Sequence, residues 1–115
     1  MRDKSINYLE MPSADLEKTK SFFTSVFGWK FTDYGNTYTA FESQELQGGF
    51  YYSDTVSLTE HGATLLVFYT HSLEACLDEV TAAGGKIIKP IFSFPGGRRF
   101  HFCEPGGSEF AVWSE

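Results

Sequence analysis

The sequence predicts an α+β protein in which one βαβββ module occurs twice, with the two modules forming sheets around a central groove. Residues 12–31 and 69–88 resemble each other, and Leu16-Glu17 in the first recurs as Leu73-Glu74 in the second. Both segments read as an extended stretch, an amphipathic helix and a glycine stop. A repeat at half the chain length indicates one supersecondary unit used twice.

The chain is predicted to be a single domain, because 115 residues is an ordinary domain length. Module 1 covers about residues 1–53 and module 2 about residues 63–115. The intervening residues 54–62 (DTVSLTEHG) are polar and have neither helical nor strand periodicity. They are therefore predicted to be the linker.

In module 1, residues 4–11 alternate as a strand that Pro12 is expected to end. Ser13 is the expected N-cap of the first helix, and Gly28 the residue that stops it. The helix carries an apolar stripe at helical spacing. Extended runs follow, with Gly35-Asn36 as the first hairpin turn; they are Trp29–Tyr34, Thr37–Glu42 and Gly49–Ser53.

In module 2, a strand over 63–69 precedes a helix capped by Ser72. The helix shows apolar residues at i, i+3, i+4 and i+7, and Gly84-Gly85 ends it. Residues 93–97 (SFPGG) are predicted to be a turn or flexible loop. The remaining strands are predicted at Lys86–Ile91, Arg98–Cys103 and Ser108–Trp113.

Charge and composition exclude several classes of partner. The net charge is −6 and the pI about 5.0, with no basic patch beyond Arg98-Arg99, which argues against nucleic acid. No apolar run approaches membrane-spanning length and the N-terminus has no apolar leader, so we expect a cytoplasmic protein. Cys76 and Cys103 lack a CxxC partner and are expected to be free, in a reducing compartment.

Aromatic residues make up 17% of the chain, including 12 Phe and 6 Tyr. Most of them are expected to fill the core. A minority are expected to line a pocket where flat rings contact a ligand.

Several sequence motifs resemble those of the vicinal oxygen chelate superfamily, which contains glyoxalases, bleomycin-resistance proteins and extradiol dioxygenases. The resemblance covers essentially the whole chain and implies their fold, whereas it implies little about activity, because one fold hosts many functions. The matching residues are Asp15-Leu16-Glu17, Phe22-Phe23, Val26-Phe27-Gly28-Trp29, Leu73-Glu74, Gly84-Gly85-Lys86-Ile87 and the turn FCEPGGS at 102–108.

The same resemblance implies where a divalent metal would bind. In metal-dependent members, His, Gln or Glu side chains bind it at positions that correspond here to Tyr8, Leu65 and Ala111. Leucine and alanine have no donor atom, and neutral tyrosine is a poor ligand. We therefore expect no metal and no cofactor. The alternative is a divalent metal held after a two-residue shift, which would bring Glu10 and Glu109 to the groove.

His101 lies in a strand where Arg99 and His101 alternate with Phe100 and Phe102. If the phenylalanine face packs in the core, Arg99 and His101 point into the groove; the sequence leaves the choice of face open. Catalysis without a metal would use His101 as base and Arg99 as electrostatic stabiliser. Glu10, on the face of Tyr8, is a third catalytic candidate.

The Arg98-Arg99 pair follows a glycine-rich loop and is suited to clamp a carboxylate or phosphate. Its alternative role is a solvated edge that discourages strand pairing. The candidate ligand-binding residues are Tyr8, Glu10, Tyr52, Arg98, Arg99, His101 and Trp113.

Three functions remain open from the sequence. The first is a metal-free protein that binds a small aromatic or anionic molecule in an aromatic groove. The second is a metal-dependent lyase, isomerase or dioxygenase-type enzyme of the same superfamily. The third is an interaction protein whose groove is filled by its own side chains. Relatives are commonly dimers, so the resemblance implies a homodimer in all three cases.

Overall fold

The computed structural model describes residues 1–115 and contains eight β-strands, two α-helices and a short 3₁₀ helix. Neither α-helix is long and apolar enough to cross a membrane. The elements in chain order are β1 (Tyr8–Ser13), α1 (Leu16–Phe27), β2 (Lys30–Asp33), β3 (Tyr38–Glu42), β4 (Gln47–Tyr52), the 3₁₀ helix (Thr59–His61), β5 (Leu66–Tyr69), α2 (Leu73–Ala82), β6 (Lys86–Phe94), β7 (Gly97–Cys103) and β8 (Glu109–Ser114).

Each half of the chain builds its own four-stranded mixed sheet. The strand order is β1-β4-β3-β2 in the first sheet and β5-β8-β7-β6 in the second. In each sheet the module's first strand in the chain pairs in parallel with its last, as β1 with β4 and β5 with β8. The other neighbouring strands are antiparallel. The α+β class and the repeated βαβββ module are confirmed.

The helices lie between the two sheets. The fully buried ring of Phe23 on α1 lies 5.4 Å from Phe50 in the first sheet, and 6.4 and 5.2 Å from Phe68 and Phe110 in the second. The helix-facing surfaces of both sheets therefore belong to one core. The opposite surfaces, which we call the outer faces, point away from each other, so one chain alone does not enclose the expected groove between the modules.

The start of the first module differs from its prediction. Pro12 does not end β1. Its carbonyl accepts a hydrogen bond from Ser108 Oγ, so the backbone nitrogen and carbonyl of Pro12 point away from β4. A proline is tolerated at such a position because the neighbouring strand does not need its N–H. The N-cap of α1 is Asp15, which accepts from Lys18 N at 3.1 Å, and not Ser13. Gly28 ends α1 in the left-handed conformation (φ 72°), as predicted.

The predicted loop at 93–97 is mostly strand. β6 continues to Phe94, which pairs with Gly97, so only Pro95 and Gly96 form the turn. Gly96 has a φ of 132°, which glycine adopts without strain. Ser72 is at the N-cap of α2 as predicted, although its side chain makes no capping hydrogen bond.

A buried polar cluster joins the two halves. Glu104 Oε1 accepts from Thr19 Oγ1 at 2.8 Å and from Gly106 N at 2.5 Å, and Thr19 Oγ1 also lies 2.6 Å from Ser13 Oγ. Glu104 Oε2 is buried without a partner. Burial raises the pKa of Glu104 to about 7, because hydrogen bonds from Gly106 and Thr19 offset only part of the desolvation.

Candidate functional site

The buried core shows which face of β7 carries Arg99 and His101, a choice that the sequence left open. Phe100 and Phe102 are fully buried among the core residues, so Arg99 and His101 lie on the outer face of the second sheet. His101 is only 2% exposed, because neighbouring side chains of that face cover it.

Arg99, His101 and Glu109 form a hydrogen-bonded chain across this face. Arg99 Nε and Nη2 lie 3.2 and 2.8 Å from His101 Nε2, and His101 Nδ1 lies 2.7 Å from Glu109 Oε2. A guanidinium group only donates, so His101 Nε2 accepts. The ring proton is then on Nδ1, which donates to Glu109.

Thr59, a residue of the linker between the modules, fixes Glu109 at the end of this series of hydrogen bonds. Thr59 donates to Glu109 Oε1 from its backbone nitrogen at 2.8 Å and from its hydroxyl at 3.0 Å. Burial alone would raise the pKa of Glu109, but the hydrogen bonds from His101 and Thr59 outweigh it, and the pKa is lowered. The carboxylate is thus held charged and on the far side of His101 from Arg99.

Aromatic rings surround the guanidinium group. Arg99 Cζ lies 5.5 Å from the ring centre of Phe92 and 5.8 Å from that of Phe94. Trp113 pairs with Arg99 across the sheet, and its ring lies 6.1 Å from Phe94 and 5.1 Å from Tyr69. Trp113 therefore lies on the same face as Arg99, together with Phe92 and Phe94, which were not among the predicted site residues.

The outer face of the first sheet carries a second polar group, formed by Tyr8, Tyr38 and Glu10. Tyr38 Oη donates to Glu10 Oε2 at 2.9 Å and lies 2.7 Å from Tyr8 Oη. Since the Tyr38 proton goes to the carboxylate, Tyr8 donates to Tyr38 and keeps its own lone pairs free. Burial, together with the hydrogen bonds to Tyr8 and Glu10, raises the pKa of Tyr38 far above its usual range.

Gly49 allows Tyr38 to take part. The ring of Tyr38 crosses β4 to reach β1, and a Cβ atom on Gly49 would lie 2.0 Å from its hydroxyl. Only glycine leaves this space open. Tyr38 was not among the predicted site residues, since nothing in the sequence shows that β4 separates its strand from β1.

Two predicted residues lie elsewhere. Arg98 is on the helix side of β7, where it donates to Glu74 through Nη1 at 2.6 Å and Nη2 at 3.1 Å. Tyr52 alternates with Tyr51 along β4, so it lies on the side opposite to Tyr8, and its hydroxyl donates to Asp54. Tyr51 occupies the outer face instead.

The donor set does not fit the metal site of metal-dependent relatives. Of the three positions, Leu65, just before β5, and Ala111 on β8 have no donor atom, and the β5 neighbour of Ala111 is Val67, which has none either, so Tyr8 supplies the one oxygen of the set. Both nitrogens of His101 already have partners. No three His, Cys, Asp or Glu side chains come together in the chain.

A cavity of about 740 Å³ lies between β5 and the turn at residues 43–46. Its floor is apolar, with Trp29 and Phe41 stacked at 4.1 Å, and Glu45 is its one carboxylate. It contains none of the predicted site residues and shares only Val67 and Tyr69 with the outer faces. The groups able to orient a ligand lie on the outer faces, which we therefore take as the candidate site.

Comparison with known proteins identifies the class. The family model described as Glyoxalase/Bleomycin resistance protein/Dioxygenase superfamily matches residues 5–112. The chain therefore belongs to this superfamily.

One characterised protein is similar to most of this chain. The anthracycline biosynthesis protein DauV of Streptomyces sp. (strain C5) is 26% identical over 92% of this chain. The chain spans only 45% of the length of that protein.

Solved structures with a similar fold include the following two. The fosfomycin resistance protein FosX from Listeria monocytogenes has a TM-score of 0.79 at 16% identity, over 99% of this chain and 95% of that one. A glyoxalase-related enzyme from Fulvimarina pelagi has a TM-score of 0.78 at 18% identity, over 97% and 88% of the two chains.

Proposed function

We propose that the protein binds a small, flat aromatic molecule, without a metal ion, in a groove formed by two copies of the chain. The outer face of the first sheet in one copy would form one wall, and the outer face of the second sheet in the other copy would form the opposite wall. The observation that carries the proposal is that the helical core separates these two faces within one chain, although each holds one half of the orienting groups.

The apolar character of the outer faces supports a missing partner. Tyr8 and Tyr51 on the first sheet are 43% and 41% exposed, and Tyr69 and Phe92 on the second are 44% and 38% exposed. Exposed aromatic patches of this kind mark ligand or protein contacts. A two-fold dimer would cover both faces at once and produce two equivalent grooves.

Charge supports a second copy as the occupant. The first outer face presents the Glu10 carboxylate, and the second presents the cations Lys86, Lys89 and Arg99, so the two walls are complementary in charge and Glu10 alone does not neutralise the second wall.

The chemistry of the groups favours binding over catalysis. His101 is the base expected from the sequence, but Arg99 occupies the lone pair on Nε2 and Glu109 accepts from Nδ1. A general base needs a free lone pair within reach of its substrate. The donor set likewise does not favour the metal-dependent enzyme.

A flat aromatic ligand is favoured by the rings on both walls and by the relative DauV, whose name refers to anthracycline biosynthesis. Anthracyclines contain fused planar rings, and such rings stack on Tyr and Trp side chains.

The dimer is tested with two neighbouring tyrosines. Tyr51→Glu places a charge on the first outer face, whereas Tyr52→Glu places it on the other side of the same strand, where the residue is 50% exposed. Light scattering should give twice the chain mass of 12.9 kDa for the parent protein and for Tyr52→Glu, and the single-chain mass for Tyr51→Glu. A parent protein that is monomeric contradicts the proposal.

Binding is tested by calorimetry with anthraquinone-2-carboxamide, an uncharged flat probe, and with anthraquinone-2-carboxylate, each in the presence of a chelator. The proposal predicts that at least one of them binds with one ligand per chain, and that Tyr51→Glu abolishes this binding. A dimer that binds neither probe supports the interaction protein instead.

A further inference from the structure

We infer that the natural ligand of this groove carries an acidic group with paired oxygen atoms, such as a carboxylate, and that Arg99 binds it. The inference rests on the proposed function and names the chemical class of the ligand for the same site.

The two neighbouring arginines differ in how their charges are neutralised. Arg98 forms a two-bond ion pair with Glu74 on the helix side of β7. Arg99 forms no ion pair with any carboxylate of the chain, although the chain has a net charge of −6. A protein rich in carboxylates thus leaves a guanidinium group on the outer face without one.

Arg99 keeps the donors that an acid needs. Its Nε and one hydrogen of Nη2 point to His101, and a guanidinium group has five N–H bonds in a plane. The remaining N–H bonds, on Nη1 and Nη2, form a fork whose spacing matches the two oxygens of a carboxylate.

The surroundings hold this fork in one orientation. His101 fixes one edge of the guanidinium group, and Glu109 and Thr59 fix His101 in turn. Phe92 and Phe94 flank the group. Less side-chain entropy is therefore lost when an anion binds, which favours affinity.

Glu109 is not the carboxylate partner of Arg99, because both of its oxygens already accept from other residues. One of its oxygens accepts from His101 and from the Thr59 hydroxyl, and the other accepts from the Thr59 backbone nitrogen and hydroxyl. Lys86 and Lys89 on β6, whose strand partners are Cys103 and His101, are further cations of this face and form no ion pair, so they add to the positive potential. Trp113, opposite Arg99 on β8, provides a ring beside the anion for the flat part of the ligand.

The test compares anthraquinone-2-carboxylate with anthraquinone-2-carboxamide, which has the same ring system without the charge. Isothermal titration calorimetry would measure both probes on the parent protein, Arg99→Gln, Arg99→Lys and the control Arg98→Gln. We expect the parent protein to bind the carboxylate at least about tenfold more tightly than the amide, since hydrogen bonds to charged groups are stronger than those between neutral groups.

Arg99→Gln should reduce this preference to about one, since its amide offers neither the charge nor the fork. Arg99→Lys should retain part of the preference, because it keeps the charge but not the fork. Arg98→Gln should keep the full preference for the carboxylate. It removes the same charge as Arg99→Gln, but on the helix side of β7, away from the groove. Far-ultraviolet circular dichroism of each variant checks the fold.

Failure of the acid-binding role and failure of the proposed function would give different results. If both probes bind the parent protein equally, or if Arg99→Gln and Arg99→Lys leave the preference intact, the acid-binding role of Arg99 is wrong and the aromatic groove stands. If neither probe binds, the proposed function fails and the acid-binding role fails with it.

Discussion

Replacing Glu104 with glutamine tests how the buried carboxyl group that joins the two halves responds to pH. The folded-state pKa of Glu104 is raised from 4.5 to about 7 by burial, whereas the unfolded chain keeps the ordinary value. Below pH 4.5 the carboxyl group is protonated in both the folded and the unfolded state, so its pKa difference does not change the free energy of unfolding. As the pH rises from 4.5 to 7, only the unfolded state loses the proton, so the free energy of unfolding falls.

The size of this loss follows from the pKa difference. Each pKa unit corresponds to about 1.4 kcal/mol, so ionisation of Glu104 removes roughly 3 kcal/mol of stability by pH 8. Glutamine resembles the protonated carboxyl group and cannot ionise. Its oxygen can still accept from Thr19 and Gly106. The stability of Glu104→Gln relative to the parent protein should therefore rise by roughly 3 kcal/mol between pH 4.5 and pH 8.

Urea unfolding, followed by tryptophan fluorescence at fixed protein concentration, measures this difference at each pH. Glu79→Gln, an exposed carboxyl group on α2, serves as the control for loss of a surface charge. A difference between Glu104→Gln and the parent protein that stays constant over this pH range would refute the reasoning.

Three further predictions concern the core, the first outer face and the metal. Phe23→Ala should lower the free energy of unfolding by about 3–5 kcal/mol, measured by urea unfolding, because the fully buried ring contacts both sheets. Gly49→Ala should lower the melting temperature, because its Cβ would collide with Tyr38, and Tyr38→Ala in the same chain should recover most of the loss. Dialysis against a chelator should leave ligand affinity and melting temperature unchanged; restoration of either by added zinc or manganese would contradict a metal-free groove.

Local patterns in the sequence were sufficient to predict the helices and the repeated module. The apolar spacing of α1 and the glycine at its end depend on residues close in sequence, and both predictions are confirmed. Strand alternation placed Arg99 and His101 on one face, and the burial of Phe100 and Phe102 showed that this is the outer face. The end of β1 was wrong because proline is excluded only from strand positions whose N–H is needed by a neighbour.

The site itself depends on pairings that no local pattern reveals. Tyr38 reaches Glu10 only because β4 lies between β3 and β1 and carries glycine at the crossing point. The linker residue Thr59 fixes Glu109 over a distance of 50 residues in sequence. Phe94 was assigned to a turn because Pro95 and two glycines follow it, and its ring beside Arg99 was missed.

The central claim, that two chains share each groove, is tested most directly by mixing two variants that each damage one wall. Tyr8→Ala/Tyr51→Ala removes exposed rings from the first outer face, and Tyr69→Ala/Phe92→Ala removes them from the second. Each variant alone should lose most of its probe binding. After subunit exchange, mixed dimers contain one groove with both walls intact, so about one quarter of all grooves should again bind the probe with parent affinity. Binding that stays absent after exchange of the subunits has been verified would contradict the shared groove.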